Sequence, residues 1–222
     1  GVMSGGRNNN YPVVVELYAL SDIPNLNIYN VGIDYDQSPN QNYYRYPYYP
    51  FPNIALAKGS YFYAYRNASN FDNYFSGFIT RSNQNSKQDN HLNATYAGDD
   101  AITLIRKNTQ PNPDVWEIVD VVGVIGEDGT GQPWEYNEGW LYRKNNKFPT
   151  PTFNMNDWTA CNNCVDNANT HQQAIDNAGN THFPIQTISY PKAGSYSDVN
   201  GATLTVNNLL VAQSGNKYRS LL

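Results

Sequence analysis

Gly98-Asp99-Asp100-Ala101-Ile102-Thr103-Leu104-Ile105 opens the stretch, running on to Lys144, whose reading decides the fold. Ala101 to Ile105 reads as a short apolar strand. Arg106 to Asp114 is turn chemistry, with two prolines and short polar side chains able to bond their own backbone. Val115-Trp116-Glu117-Ile118-Val119-Asp120-Val121-Val122-Gly123-Val124 is the longest β-branched run in the chain. Two such runs joined by a polar turn predict a β-hairpin. Gly126 to Gly131 then leads to Trp134, Tyr136, Gly139, Trp140 and Tyr142, expected as an aromatic flap over that hairpin. Asp120 shares strand parity with Trp116, Ile118 and Val122, which predicts a half-buried carboxylate. A buried carboxylate needs a partner, and Arg143 is the expected one, as a structural tie.

Outward from this hairpin the pattern stays β. Val13-Val14-Val15-Glu16-Leu17-Tyr18-Ala19-Leu20 predicts a strand behind Pro12, and Leu26, Ile28 and Val31 begin the next. Ile54 to Ala57 is short and apolar. In Ser60 to Tyr65, Tyr61, Tyr63 and Tyr65 share one face, with Phe62 and Ala64 on the other. Phe71, Tyr74, Phe75 and Phe78 fall at helical spacing, predicting a short helix over Asn70 to Phe78 with a packed aromatic stripe. A weaker helix is expected around Gln172 to Ile175. Gly1 to Asn10 is rich in Gly and Asn and reads as flexible.

The motifs together resemble a bacterial lamin-tail domain. They are Gly98 to Leu104, Val119 to Gly126, Gly131 to Trp134, Gly139 to Lys144, and upstream Val15 to Leu20, Leu26 to Asn30 and Ala57 to Phe62, with Phe153 to Trp158 downstream. The resemblance covers roughly the first three quarters of the chain. It implies an all-β, immunoglobulin-like β-sandwich with long loops, spanning 11–165, and implies no chemistry. Residues 166–222 resemble an incomplete immunoglobulin-like repeat, hence a second, incomplete β-sandwich. Gly201 to Val206 alternates, and Tyr218 stands where such repeats carry a corner tyrosine. No cysteine follows Tyr218, and the closing strand is absent.

A sandwich lacking a strand and an N-terminal β segment over 1–20 are complementary defects. Val13, Val14, Val15 and Leu17 are therefore the expected donor strand, filling the slot of another copy. Such a contact is heterologous and propagates as a ring or filament. Folding back within the chain, or a fragment of a longer repeat protein, are the alternatives.

The chain has 222 residues, 19 Tyr, 8 Phe and 4 Trp, and a mean hydropathy of −0.65. Aromatic area replaces aliphatic area, so the low hydropathy does not signal disorder. A net charge of −5 without a basic stripe argues against nucleic acid, and no apolar run reaches membrane-span length. An opening at Gly1 is compatible with prior processing. This composition suits an extracellular or cell-surface protein.

Cys161 and Cys164 are the only cysteines. A disulfide stapling a loop is the leading expectation, with metal binding alongside His171 and redox chemistry as alternatives. The three histidines, His91, His171 and His182, lack motif spacing, and no nucleophile, zincin or phosphate-loop motif occurs. Asp99 and Asp100 read as a turn cap. Asp34, Asp36 and Asn40, or Glu127 and Asp128, only loosely suggest calcium loops. Asn67-Ala68-Ser69 and Asn93-Ala94-Thr95 are glycosylation sequons. Tyr43, Tyr44, Tyr46, Tyr48 and Tyr49 crowd one polar loop, expected as a sticky surface for a neighbouring subunit or for sugar.

The expectation is therefore a non-enzymatic subunit of a self-assembling pilus-like filament, without cofactor and with itself as partner. A monomeric adhesion or glycan-binding module, or an accessory domain of a secreted hydrolase, are the alternatives.

Overall fold

Strict alternation decides the layering. In the computed structural model, Tyr61, Tyr63 and Tyr65 join one apolar cluster, and Phe62 and Ala64 join another, as period two requires. The structure describes residues 1–5, 11–34, 50–93, 98–108, 115–165, 168–177, 182–190, 195–197 and 203–205. It divides into two units, Gly1–Ile188 and Ser189–Leu222.

In the first unit the strands are β1 (Val2–Ser4), β2 (Val14–Tyr18), β3 (Tyr29–Asp34), β4 (Tyr61–Tyr65), β5 (Ser86–Gln88), β6 (Ala101–Lys107), β7 (Trp116–Val122), β8 (Gly139–Arg143) and β9 (Trp158–Cys161). The helices are α1 (Ala68–Tyr74) and α2 (His171–Asp176). Six strands form one sheet in the order β5-β4-β2-β1-β8-β9, and three form another, β3-β6-β7. Neighbours run antiparallel except β4 and β5, which are parallel and joined through α1. The fold is thus mostly β, with few helices. In the second unit, β10 (Ser195–Ser197) and β11 (Thr203–Thr205) pair as an antiparallel ribbon.

The predicted hairpin is present as β6 and β7, paired from Ile102 with Val122 to Lys107 with Trp116. The pairing shifts between Leu104, opposite Asp120, and Ile105, opposite Ile118, so Val119 is an extra residue on β7. This bulge breaks the parity read from the sequence. Asp120 keeps the face of Val122, but Ile118 and Trp116 turn to the other side.

One core lies between the sheets. Val2, Val15, Phe62 and Leu141 from the larger sheet meet Val31, Ile33, Ile102 and Val122 from the smaller. Trp134 and Tyr136 of the predicted flap are buried in it. Gly98 lets that flap dock: its φ is +69°, and a Cβ there would lie 2.4 Å from Asn137 N.

A second core covers the outer face of the larger sheet. Met3, Val14, Tyr63, Tyr65, Trp140 and Tyr142 are sealed there by Phe71, Tyr74 and Phe75 of α1 and its C-terminus, and by Val165 and Phe183. The helical stripe is present but ends early, since Phe78 is 39% exposed. Phe183, Ile185 and Ile188 lie in this covering layer, and the division of the chain falls after Ile188. The boundary expected from the sequence is at 165/166. Phe183, Ile185 and Ile188 pack onto the outer face of the larger sheet.

Candidate assembly site

The first strand joins the two halves of the larger sheet. Val2 and Met3 belong to the Gly- and Asn-rich stretch expected to be flexible; instead β1 lies in the middle of the six-stranded sheet. Val2 faces Val15 on one side and Leu141 on the other, and all three enter the core between the sheets. Met3 faces Val14 and Trp140, and all three enter the outer core. A one-residue slip would exchange the two sets, so the register is fixed from both faces. Glu16 N donates to Gly1 O at 2.8 Å, extending the ladder by one residue. Ser4 faces Gly139, where a Cβ would fall 1.9 Å from Cys161 O. Without β1 the sheet separates into β5-β4-β2 and β8-β9.

A buried polar knot braces the slot on its outer side. The Glu16 carboxylate is 4% exposed and accepts from Tyr142 Oη at 2.5 Å and from Gln186 N at 3.0 Å. Burial raises its pKa, and the Gly1 ammonium, followed by these hydrogen bonds, pulls it part of the way back. Gln186 Nε2 donates to Tyr63 Oη at 2.7 Å, and Thr187 N donates to Tyr142 Oη at 3.2 Å. The segment around Gln186 is thus pinned across β2, β4 and β8, with Gln186 itself at φ +56°. Burial also raises both tyrosine pKa values. These groups tie chain to chain.

The expected donor residues sit in the same sheet. Val14, Val15 and Leu17 are in β2 and Val13 directly precedes it, and β2 is flanked by β1 and β4 of its own chain. Cys161 and Cys164 are bonded as a disulfide, their Cα atoms 5.8 Å apart, so neither sulfur is a free thiol. Asp120 pairs with Arg143, whose guanidinium also lies over the Trp158 ring, 4.1 Å from its centre. Thr150 N and Val121 N also donate to the Asp120 carboxylate, at 3.2 and 3.0 Å.

The Asp99 carboxylate accepts from the Thr130 hydroxyl at 3.1 Å, and its carbonyl from Gly129 N at 3.0 Å. Asp34 accepts from Gly126 N at 2.5 Å and Asp128 from Thr130 N at 2.9 Å, so both are committed to loop bonds. Asn67 caps α1 by accepting from Asn70 N at 3.0 Å. Tyr43, Tyr44, Tyr46, Tyr48, Tyr49, Asp36, Asn40 and Tyr218 lie outside the described residues.

A groove of about 410 Å³ runs beside β8, lined by Trp140, Tyr142, Lys144, Thr159, His182 and Thr187. Trp140 and Tyr142 are only 3% and 5% exposed, so they offer little ring face for stacking a sugar. What the sequence reading missed is the convergence of two histidines: the rings of His171 and His182 lie 5.7 Å apart. Ten residues lie between them, and only tertiary packing brings them together. No helix among the described residues is long and apolar enough to cross a membrane. Comparison with protein-family models, with curated proteins and with solved structures returns no match.

Proposed function

We propose that the chain is an extracellular structural subunit, immunoglobulin-like and of lamin-tail type, that assembles into a filament by exchanging its N-terminal β segment between copies. The observation that carries this reading is the place of β1. It is three residues long, buried on both faces, and central to the sheet. Every contact of β1 is kept if the strand comes from a second copy, because the slot between β2 and β8 is unchanged. Exchange of an identical element is a low-cost route to oligomers, and a head-to-tail exchange that does not close is a fibre. The donor is thus the front of the 1–20 segment, and Val14 to Leu17 form one wall of the acceptor.

A paired-cysteine experiment tests it. Val2 and Leu141 are register partners on adjacent antiparallel strands, within the reach of a disulfide. The double variant Val2→Cys, Leu141→Cys, oxidised and run on a non-reducing gel, gives a ladder of covalent multimers if the strand is exchanged. A covalently closed monomer as the sole product, with no fibres in electron micrographs of the parent protein, refutes the proposal.

A further inference from the structure

The layer covering the outer face holds three polar atoms sealed from water with no hydrogen-bond partner: Tyr74 Oη, His171 Nδ1 and His182 Nδ1. They belong to side chains in mutual contact. The Tyr74 and His171 rings are 6.1 Å apart, and the His171 and His182 rings 5.7 Å apart at 80°. A buried polar atom left unpaired is costly, and native proteins rarely leave several in one place without use. We propose that His171 and His182 bind a borderline divalent cation of the Zn²⁺ class, with Tyr74 Oη as a neutral third contact and water completing the shell.

The spacing fits. Two imidazole nitrogens about 2.0–2.1 Å from one ion place their ring centres about 5–6 Å apart. The two ligands come from independently anchored positions. His171 is the first residue of α2, and Thr170 Oγ1 fixes that helix start by accepting from Gln173 N at 3.2 Å. His182 precedes Phe183, which is fully buried against Phe75 and Tyr142. Phe75 and Phe78 pack on the His171 ring and narrow its freedom. His182 is only half-buried and lines the open groove beside β8, which gives an ion and its waters a path.

Among the described residues no group of three or more His, Cys, Asp or Glu is disposed to hold a metal. Two imidazole nitrogens suit a nitrogen-preferring ion over Ca²⁺ or Mg²⁺, which require several oxygens.

The test uses the untagged full chain at pH 7.5 in a buffer that does not chelate metals. Zn²⁺ at 100 μM should raise the melting temperature by about 3–6 °C for a dissociation constant near 10 μM, and Mg²⁺ should not. Calorimetric titration should give one ion per chain. His182→Gln, at the half-buried position, and His171→Gln should each remove the shift and the binding isotherm. If His171→Gln does not fold, His182→Gln alone decides. No Zn²⁺-dependent shift in the parent protein, or a shift that survives in His182→Gln, overturns the proposal.

Discussion

Acidification should destabilise this protein through one side chain, and the size of the effect follows from its surroundings. His171 is 2% exposed, packed against Tyr74, Phe75, Phe78 and His182. Burial, with His182 adding to it, lowers its pKa from 6.5 to about 4. Between these values the unfolded chain binds a proton that the folded chain refuses. Stability therefore rises with pH in that window and falls as pH drops from 6.5 towards 4. At about 1.4 kcal/mol per pH unit, the full window is worth about 3 kcal/mol. Other groups titrate nearby. Glu16 has a raised pKa, so it favours the folded state as pH falls and acts in the opposite sense. The comparison must therefore be between the parent chain and His171→Leu. Urea denaturation followed by tryptophan fluorescence, with EDTA present, at pH 7.5, 6, 5 and 4.5 gives both curves. The stability difference between them should change steadily below pH 6 in favour of the variant, approaching the 3 kcal/mol scale. A difference that stays constant over the series refutes the argument.

Tyr142→Phe removes a hydroxyl that donates to Glu16 and accepts from Thr187 N and Ile188 N. It should cost about 1–3 kcal/mol and speed amide hydrogen exchange at Thr187 and Ile188, while leaving β6 and β7 unaffected. Asp120→Ala strands a guanidinium that is 7% exposed and keeps the Phe148 carbonyl and the Trp158 ring. Denaturant melts should show a loss of about 3 kcal/mol, and Asp120→Val combined with Arg143→Leu should recover part of it. Gly98→Ala meets both a left-handed φ and backbone atoms of Tyr136 and Asn137 at 2.4–2.6 Å. It should cost more than the about 1–2 kcal/mol of the conformational penalty alone, read as a lowered melting temperature.

The sequence made legible whatever is local or strictly periodic. The alternation of Tyr61 to Tyr65 is visible because each face has its own residue class. The Asp120–Arg143 tie could be inferred from the price of a lone buried carboxylate, even though the bulge at Val119 spoils the parity that first suggested it. The Cys161–Cys164 bond needed only spacing and the lack of other cysteines. The covering layer was not legible. Its apolar residues Val165, Phe183, Ile185 and Ile188 follow neither a 2.0 nor a 3.6 repeat, because each packs from an irregular segment onto an existing sheet face. β1 was hidden for a related reason. Two apolar residues among glycines carry no periodic signal, and their partners lie at positions 14–15 and 140–141. For the same reason, local patterns could not show that His171 and His182 meet.

The pairing of Met3 with Trp140 sets the timetable of folding. Residues that far apart along the chain meet late, since loop closure must precede their contact. The gap between β2 and β8 therefore stays open until most of the polypeptide is already arranged. Under the proposed exchange, the chain's own strand would compete with those of neighbouring copies during that interval. Whichever strand arrived first would be locked in by side chains gripping it from both sides, so the choice would be made by kinetics and be slow to reverse.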